Sequence, residues 1–140
     1  MKRFDRIRFV AWGLLPSFNA VGLLIYGLHL ATSGTGGAGR SLPALIFIAL
    51  VCMVISSAAA IKRGRDLNWP ALVTTLAFWF SLTLGLTFLA LVAYFSFARS
   101  KPSADRFGPA PEPMGVIGWG WAVMNLIWPW VILAILAKVL

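Results

Sequence analysis

The chain has 140 residues, of which 60% are apolar and 11% are charged, whereas about a quarter of the residues of a soluble domain are charged. The charges are clustered between long apolar runs, which is typical of an integral membrane protein and excludes a water-soluble domain. The net charge of +8 does not indicate nucleic-acid binding, because the basic residues lie at the ends of apolar runs, where they meet lipid headgroups.

The first apolar run, about residues 9–31, is long enough for a transmembrane helix, which needs about 20 residues. It exceeds the apolar core of a cleaved signal peptide, and no small-residue cleavage site closes it, so we expect an uncleaved helix. Pro16 and Asn19 lie within the run, where they predict a kink and a contact with another helix.

A glycine-rich segment, residues 32–41, joins the first run to the second. It contains a GxGxxG pattern, but no strand precedes it, so the sequence predicts an external turn and not a dinucleotide site. The second run, about residues 42–61, is again long enough to cross the membrane. It ends directly before a polar segment, KRGRDLNWP, which occupies residues 62–70.

The third run, about residues 71–98, has an ambiguous length, because 28 helical residues measure about 42 Å and the hydrocarbon core measures about 30 Å. It forms either one tilted helix or a hairpin that turns back inside the membrane near Gly85. We take four simple spans as the working model and keep the hairpin as the alternative. A proline-rich loop, residues 99–114, then leads to a Trp-rich last run, residues 115–140.

Basic loops stay in the cytoplasm, so the charges predict the orientation of the chain. With four simple spans and a cytoplasmic N-terminus, eight of the 12 basic residues lie on the cytoplasmic side. With the hairpin, loop 99–114 moves to that side and the number rises to ten, so the charge rule favours the hairpin. Both topologies place residues 62–70 on the cytoplasmic face.

Basic and aromatic residues beside the spans are expected to contact anionic headgroups. These anchors are Lys2, Arg3, Arg6, Arg8, Lys62 and Trp69. Arg63 and Arg65 share this simplest interpretation, and Asn68 is expected to cap the next helix, with Pro70 in its first turn. The interpretation leaves Asp66 without a role, because an acid near an anionic leaflet needs a basic partner.

Three segments in order resemble the motifs of one family. Residues 62–72, KRGRDLNWPAL, are similar to a basic-basic-x-(His/Arg)-Asp-x-Gly motif. Residues 102–111, PSADRFGPAP, are similar to the later half of a second motif of that family. Residues 4–12, FDRIRFVAW, are similar to its opening pattern. These are motifs of the DUF805 family, small bacterial inner-membrane proteins of unknown function. Arg65 stands where the family more often has His, and Asn68 where it more often has Gly.

The resemblance implies the family's fold and location for about residues 1–111, and it implies no reaction. It leaves residues 112–140 as an additional Trp-rich transmembrane helix. If the chain forms the hairpin, the motifs meet at one face, and Asp66 can pair there with an arginine from another segment. The residues of this predicted polar cluster and of the motifs around it are Arg63, Arg65, Asp66, Arg106, Gly108 and Pro109. The alternative is a solvated headgroup anchor.

Reactive groups are sparse in the sequence. The single histidine, His29, and the single cysteine, Cys52, have no second His or Cys at ligand spacing, and no ionisable side chain lies in the middle of a span. We therefore expect no catalytic site, no cofactor and no metal. Several polar side chains lie at the level of the membrane, among them Asn19, Thr83 and Asn125. In one interpretation they form hydrogen bonds between helices, and in the other they line a pore.

These observations predict an all-α, polytopic transmembrane helical bundle with four membrane segments. The function expected first is that of an accessory, scaffold or assembly subunit that acts through helix packing, with another membrane protein or a second copy as partner in an anionic bilayer. The alternative is a small oligomeric channel or transporter, and a membrane enzyme comes third.

Overall fold

The computed structural model describes residues 4–33, 38–99, 101, 106, 109 and 111–139, and leaves the side chains of 38–40, 136, 137 and 139 undescribed. The described residues form helices, with no strand among them, so the predicted all-helical fold class is confirmed. Three helices are long and apolar enough to cross a membrane, and two are shorter. We number them α1 (Arg6–Thr32), α2 (Ala38–Asp66), α3 (Ala71–Ser81), α4 (Leu86–Phe97) and α5 (Val116–Val139).

Helix α1 begins at an acidic cap and widens before its proline. The Asp5 carboxylate accepts a hydrogen bond from the Arg8 backbone N–H at 2.8 Å, which satisfies one of the free donors of the first turn. A π-helical turn covers Val10–Leu14 and ends two residues before Pro16. Proline has no N–H to give to the preceding turn, so the irregularity expected at Pro16 takes the form of this wider turn.

Helices α1 and α2 pack against each other through small residues. Gly27 lies so close to α2 that a Cβ atom there would be 3.0 Å from Cδ1 of Leu42. Nearer the other end of the pair, the Ser56 hydroxyl donates a hydrogen bond to the Gly13 carbonyl at 2.9 Å. These two contacts fix the register of an antiparallel pair, in which small residues permit close approach as they do in lipid generally.

The third apolar run is a helical hairpin and not a single helix. Helix α3 ends in one 3-10 turn, Leu82–Leu84, and Gly85 then adopts a φ of +26°, which breaks the helix. The Phe78 and Phe88 rings meet edge to face at 5.4 Å, so the two arms pack on each other. The arms measure about 17 and 18 Å at 1.5 Å per residue, which is too short to cross about 30 Å of hydrocarbon. The single crossing of the working model is therefore wrong, and the hairpin alternative describes the chain.

Helix α5 packs much less tightly than the other long helices. Only 6% of its apolar window is buried, against 39% for α1 and 44% for α2. Its main fixed points are a stack of Trp121 on Trp12, with ring centroids 4.6 Å apart, and a hydrogen bond from the Asn19 side chain to the Asn125 carbonyl at 2.9 Å. The helix therefore lies against the side of α1 and leaves most of its surface uncovered.

Candidate functional site

The polar segment after the second span ends α2 and does not begin α3. The Asn68 N–H donates to the Arg65 carbonyl at 3.1 Å, and the Trp69 N–H to the Gly64 carbonyl at 2.7 Å, which is the bond pattern of a Schellman motif. Asn68 has a φ of +66° and so occupies the left-handed position that glycine usually fills. The expected cap of the next helix is therefore wrong, because Pro70 is the N-cap of α3 and Asn68 closes α2. The positive φ also explains a glycine at this position in the resembling motif.

Arg63 is completely buried, with 0% of its side chain exposed. Its Nε donates to the Phe95 carbonyl at 2.8 Å, and its Nη2 donates to the Ala98 carbonyl. Its Nη1 donates to the Asp66 carboxylate and, at 3.4 Å, to the Phe4 carbonyl. The headgroup role that the simplest interpretation gave Arg63 is therefore wrong. We call Arg63, Asp66 and the carbonyls of Phe4, Phe95 and Ala98 the Arg63 cluster.

The hairpin explains why an arginine is needed at this point. The last carbonyls of a helix have no intrahelical donor, and α4 ends at Phe97. Because the hairpin returns the end of α4 to the end of α2, Arg63 reaches the carbonyls of Phe95 and Ala98 and supplies the missing donors. The positive charge also lies at the negative end of the α4 dipole, where cations are favoured.

Asp66 balances the charge of Arg63 from one helical turn away. Its side chain is also 0% exposed and forms an ion pair with the guanidinium. Its backbone carbonyl accepts the Lys101 N–H at 3.1 Å, which fixes the start of the loop after α4. A buried charge is tolerated when it is paired and hydrogen-bonded, and the Arg63 cluster meets both conditions inside the protein.

Gly64 lies between the two charged residues and permits α3 to cross directly over α2. A Cβ atom at Gly64 would lie 2.3 Å from Oγ1 and 3.1 Å from Cβ of Thr74. Thr74 is fully buried, and its hydroxyl donates to the Pro70 carbonyl at 3.1 Å within its own helix. The segment KRGRD thus combines a charged pair with the glycine that makes room for the hairpin.

The other predicted cluster residues lie at the same end of the bundle. Arg106 is exposed and donates through Nη2 to the Asn68 carbonyl at 3.3 Å. Arg65 is half-buried on the last turn of α2, and Pro109 is exposed. Gly108 lies outside the described residues. The structure thus brings Arg63 and Asp66 into contact and places Arg106 beside the turn that follows them.

The predicted headgroup anchors have mixed environments. Arg6 is exposed, whereas Arg8 donates through Nη2 to the Pro113 carbonyl at 3.0 Å. The Lys62 ammonium lies 4.9 Å from the centre of the Phe4 ring, and the Trp69 ring stacks on that of Tyr94 at 5.9 Å. Lys2 and Arg3 lie outside the described residues. Arg8, Lys62 and Trp69 therefore contact other parts of the chain besides any headgroup.

The membrane-level asparagines bind each other. The Asn19 Nδ2 lies 2.9 Å from the carbonyl oxygen of Asn125 and 3.2 Å from its Oδ1, and the Asn125 Nδ2 donates to the Trp121 carbonyl at 2.9 Å. Trp128 donates through Nε1 to the same Oδ1 at 3.3 Å. Of the two roles left open by the sequence, helix joining describes these two side chains.

Sequence reasoning missed the acceptors of Arg63, because backbone carbonyls carry no signature of their own. One signal could have found them. A hairpin after α2 returns the C-terminus of its second arm to the end of α2, where a cation can donate to the unpaired carbonyls of that C-terminus. Sequence reasoning also missed the Asp5 cap, although an acid directly before an apolar helix is a known start signal.

The Arg63 cluster joins three separate segments: the N-terminal residues, the end of α2 and the end of α4. The donors of the guanidinium point to oxygens of the chain itself, so the chemistry of this arrangement is that of a structural tie. Within the part of the chain that the structure describes, no group of three His, Cys, Asp or Glu side chains is placed to hold a metal ion.

Comparison with known proteins gives one informative match. No curated protein and no solved structure matches the chain. The family model described as "Protein of unknown function (DUF805)" matches residues 1–109 and stops before α5. The match includes the motif segments 4–12 and 62–72, the segment 102–111 as far as Pro109, and every residue of the Arg63 cluster. The chain belongs to the DUF805 family.

Proposed function

We propose that the chain is a multi-pass subunit of a membrane complex, which acts as an accessory, scaffold or assembly protein through helix packing and has no catalysis of its own. The observation that supports this proposal most is α5. It is a transmembrane-length helix of which 6% of the apolar window is buried, and it lies beyond the residues that the family model matches. A helix that adds little to the packing of its own chain is well suited to pack on another protein.

The polar groups of the bundle support the same proposal. Arg63 and Asp66 tie segments of the chain together, and Asn19 binds Asn125. Side chains engaged in this way hold helices in place and are not presented to a solute. Transport of ions or small solutes by reconstituted liposomes would replace the subunit proposal with the channel that the sequence left as the alternative.

The test is affinity purification from native membranes in mild detergent, with mass spectrometry of the proteins that copurify. We expect a stoichiometric membrane protein with the natural chain and its loss with Trp130→Ala, because Trp130 is 72% exposed on α5. Phe47→Ala is the matched control, since Phe47 is 67% exposed on α2. Isolation of the natural chain without another protein contradicts the subunit proposal.

We also propose that the chain resides in a bacterial inner membrane with its N-terminus in the cytoplasm. The hairpin supports this orientation, because eight of the basic residues that the structure describes lie at one end of the bundle. The backbone of Arg40 and Lys138 lies at the other end. In a Cys52→Ala background, Lys101→Cys should resist a membrane-impermeant maleimide in intact cells and react after permeabilisation. Thr32→Cys, at the opposite end, should react in intact cells. The reverse pattern contradicts the proposed orientation.

A further inference from the structure

Pro129 lies near the middle of α5, where it removes one hydrogen bond of the helix. Proline has no N–H, so the carbonyl four residues before it loses its regular donor, and that carbonyl belongs to Asn125. In lipid, a carbonyl that a proline leaves free is satisfied by a group of a neighbouring helix. The Asn19 Nδ2 on α1 lies 2.9 Å from the Asn125 carbonyl oxygen and supplies the donor. Helix α1 thus binds α5 at a carbonyl that Pro129 leaves free.

The Asn125 side chain adds a second acceptor at the same point. Its Nδ2 donates to the Trp121 carbonyl at 2.9 Å, and its Oδ1 accepts from the Trp128 Nε1 at 3.3 Å, so both bonds lie within α5. These bonds fix the orientation of the amide, and its Oδ1 lies 3.2 Å from the Asn19 Nδ2. One amide group of α1 therefore donates to two oxygens that α5 holds in place. We call Asn19, Asn125 and Pro129 the Asn19 clasp.

Two cavities border the Asn19 clasp, so the packing of α5 beside it is incomplete. One cavity, of about 290 Å³, lies between α2 and α5 and includes Pro16 and Cys52 in its lining. The other, of about 270 Å³, lies between α1 and α5 and includes Gly22 and Leu133. Asn125 lines both cavities. The polar contact of the clasp is therefore made where apolar packing is sparse, on a helix of which 6% of the apolar window is buried.

We propose that the Asn19 clasp is a releasable attachment of α5 and that Pro129 creates it. With a residue that has an N–H at position 129, the Asn125 carbonyl bonds within α5, and the Asn19 amide loses that acceptor. The sparse packing beside the clasp then leaves little to hold α5 in place. Release frees the amides of Asn19 and Asn125 for polar groups of another membrane segment. The clasp lies within one chain, so its release does not depend on the partner of the subunit proposal.

The test measures the distance between α2 and α5 in the full chain, reconstituted in lipid bilayers. In a Cys52→Ala background, spin labels at Val54→Cys and Ile127→Cys report this distance by double electron–electron resonance. Val54 is 61% exposed and Ile127 is 51% exposed, and neither lines the two cavities. We expect one narrow distance distribution when Pro129 is present. With Pro129→Ala the distribution should become about twice as broad or more, because the attached and released positions of α5 are then both populated.

A second variant removes the donor of the clasp and leaves the proline in place. Asn19→Leu should broaden the distribution as Pro129→Ala does, and the double variant should be no broader than either single one, because both changes break the same bond. Pro43→Ala is the matched control, since it makes the same replacement at an exposed proline of α2 and should not broaden the distribution. A label pair at Ile25→Cys and Val54→Cys, on α1 and α2, should stay narrow in every variant.

Three results overturn the proposal. One is a distribution for Pro129→Ala that is no broader than that for Pro43→Ala. Another is a double variant that is broader than both single ones, which shows that the asparagine and the proline act separately. The third is equal broadening of the Ile25–Val54 pair by Pro129→Ala, which shows that the whole bundle has loosened. The affinity purification of the subunit proposal detects a different protein and not a distance, so either proposal can fail alone.

Discussion

The family-matched helices and α5 are held to the bundle by different kinds of contact. The N-terminal residues, the end of α2 and the end of α4 meet at a buried guanidinium that binds one carboxylate and three carbonyls. Helix α5 is held chiefly by an asparagine pair and one ring stack, and its surface is largely uncovered. Hydrogen bonds to charged groups contribute about 1.5–3 kcal/mol each, whereas an interhelical hydrogen bond in a membrane contributes about 0.6 kcal/mol on average.

The difference indicates two separate roles for the two regions. The matched part holds its buried guanidinium internally, because Arg63 donates to the Asp66 carboxylate and to the carbonyls of Phe4, Phe95 and Ala98. The position of α5 depends on a few weak contacts, so a partner that binds it can shift it at small cost. The following substitutions separate these contributions.

The largest effect is expected for Arg63→Met, which removes the guanidinium that joins the segments of the family-matched region. The substitution leaves the Asp66 carboxylate buried and the Phe95 and Ala98 carbonyls without their donors, a loss of about 3–5 kcal/mol for a broken buried pair. We expect a correspondingly lower free energy of unfolding in mixed micelles and little accumulation in membranes. Arg65→Met, a half-buried neighbour on the same turn, is the control and should cost less than about 1 kcal/mol. Equal losses for the two variants would show that burial of Arg63 does not decide stability.

An intermediate effect is expected for Gly64→Ala, which changes packing within the matched region without touching a charge. The new methyl group meets the Thr74 hydroxyl at 2.3 Å, and α3 must shift to accept it. Gly22→Ala is the control, because open space surrounds that position on α1. Both variants gain the same helix propensity, so the difference between their free energies of unfolding isolates the overpacking, about 1–3 kcal/mol. Indistinguishable unfolding curves would contradict the close crossing of α2 and α3.

The smallest effect is expected at the weaker region, for Asn19→Leu and Asn125→Leu. A double-mutant cycle of the two substitutions measures the contact between the side chains, since Asn125→Leu keeps the backbone carbonyl, and it should give a coupling free energy of about 0.6 kcal/mol or less. In both single variants, the free energy of unfolding of helices α1 to α4 should change by no more than about 0.6 kcal/mol. A coupling free energy as large as the loss expected for Arg63→Met, about 3–5 kcal/mol, would contradict the contrast between the two regions.

The sequence was sufficient for the helical class, the first two spans and the extra C-terminal helix, because long apolar runs leave the backbone no other regular structure in lipid. It did not decide how residues 71–98 fold, since their length fits neither topology, although the charges favoured the hairpin. The sequence also suggested that Arg63 contacts lipid headgroups, because a cation at the end of an apolar run usually does so. Two of its acceptors, the carbonyls of Phe95 and Ala98, lie more than 30 residues further along the chain, beyond the reach of local patterns.

The sequence distance from Arg63 to its acceptors sets an order of events during synthesis. The bond to Ala98 spans 35 residues, so α2 is synthesised before the carbonyls of α4 that complete the bonds of Arg63. Until α4 has folded back, the guanidinium lacks the acceptors of Phe95 and Ala98 and has those of Asp66 and Phe4. The return of α4 is therefore the step that completes the Arg63 cluster. A chain in which α4 has not returned carries a charged pair without two of its hydrogen bonds, and this difference distinguishes it from the finished protein.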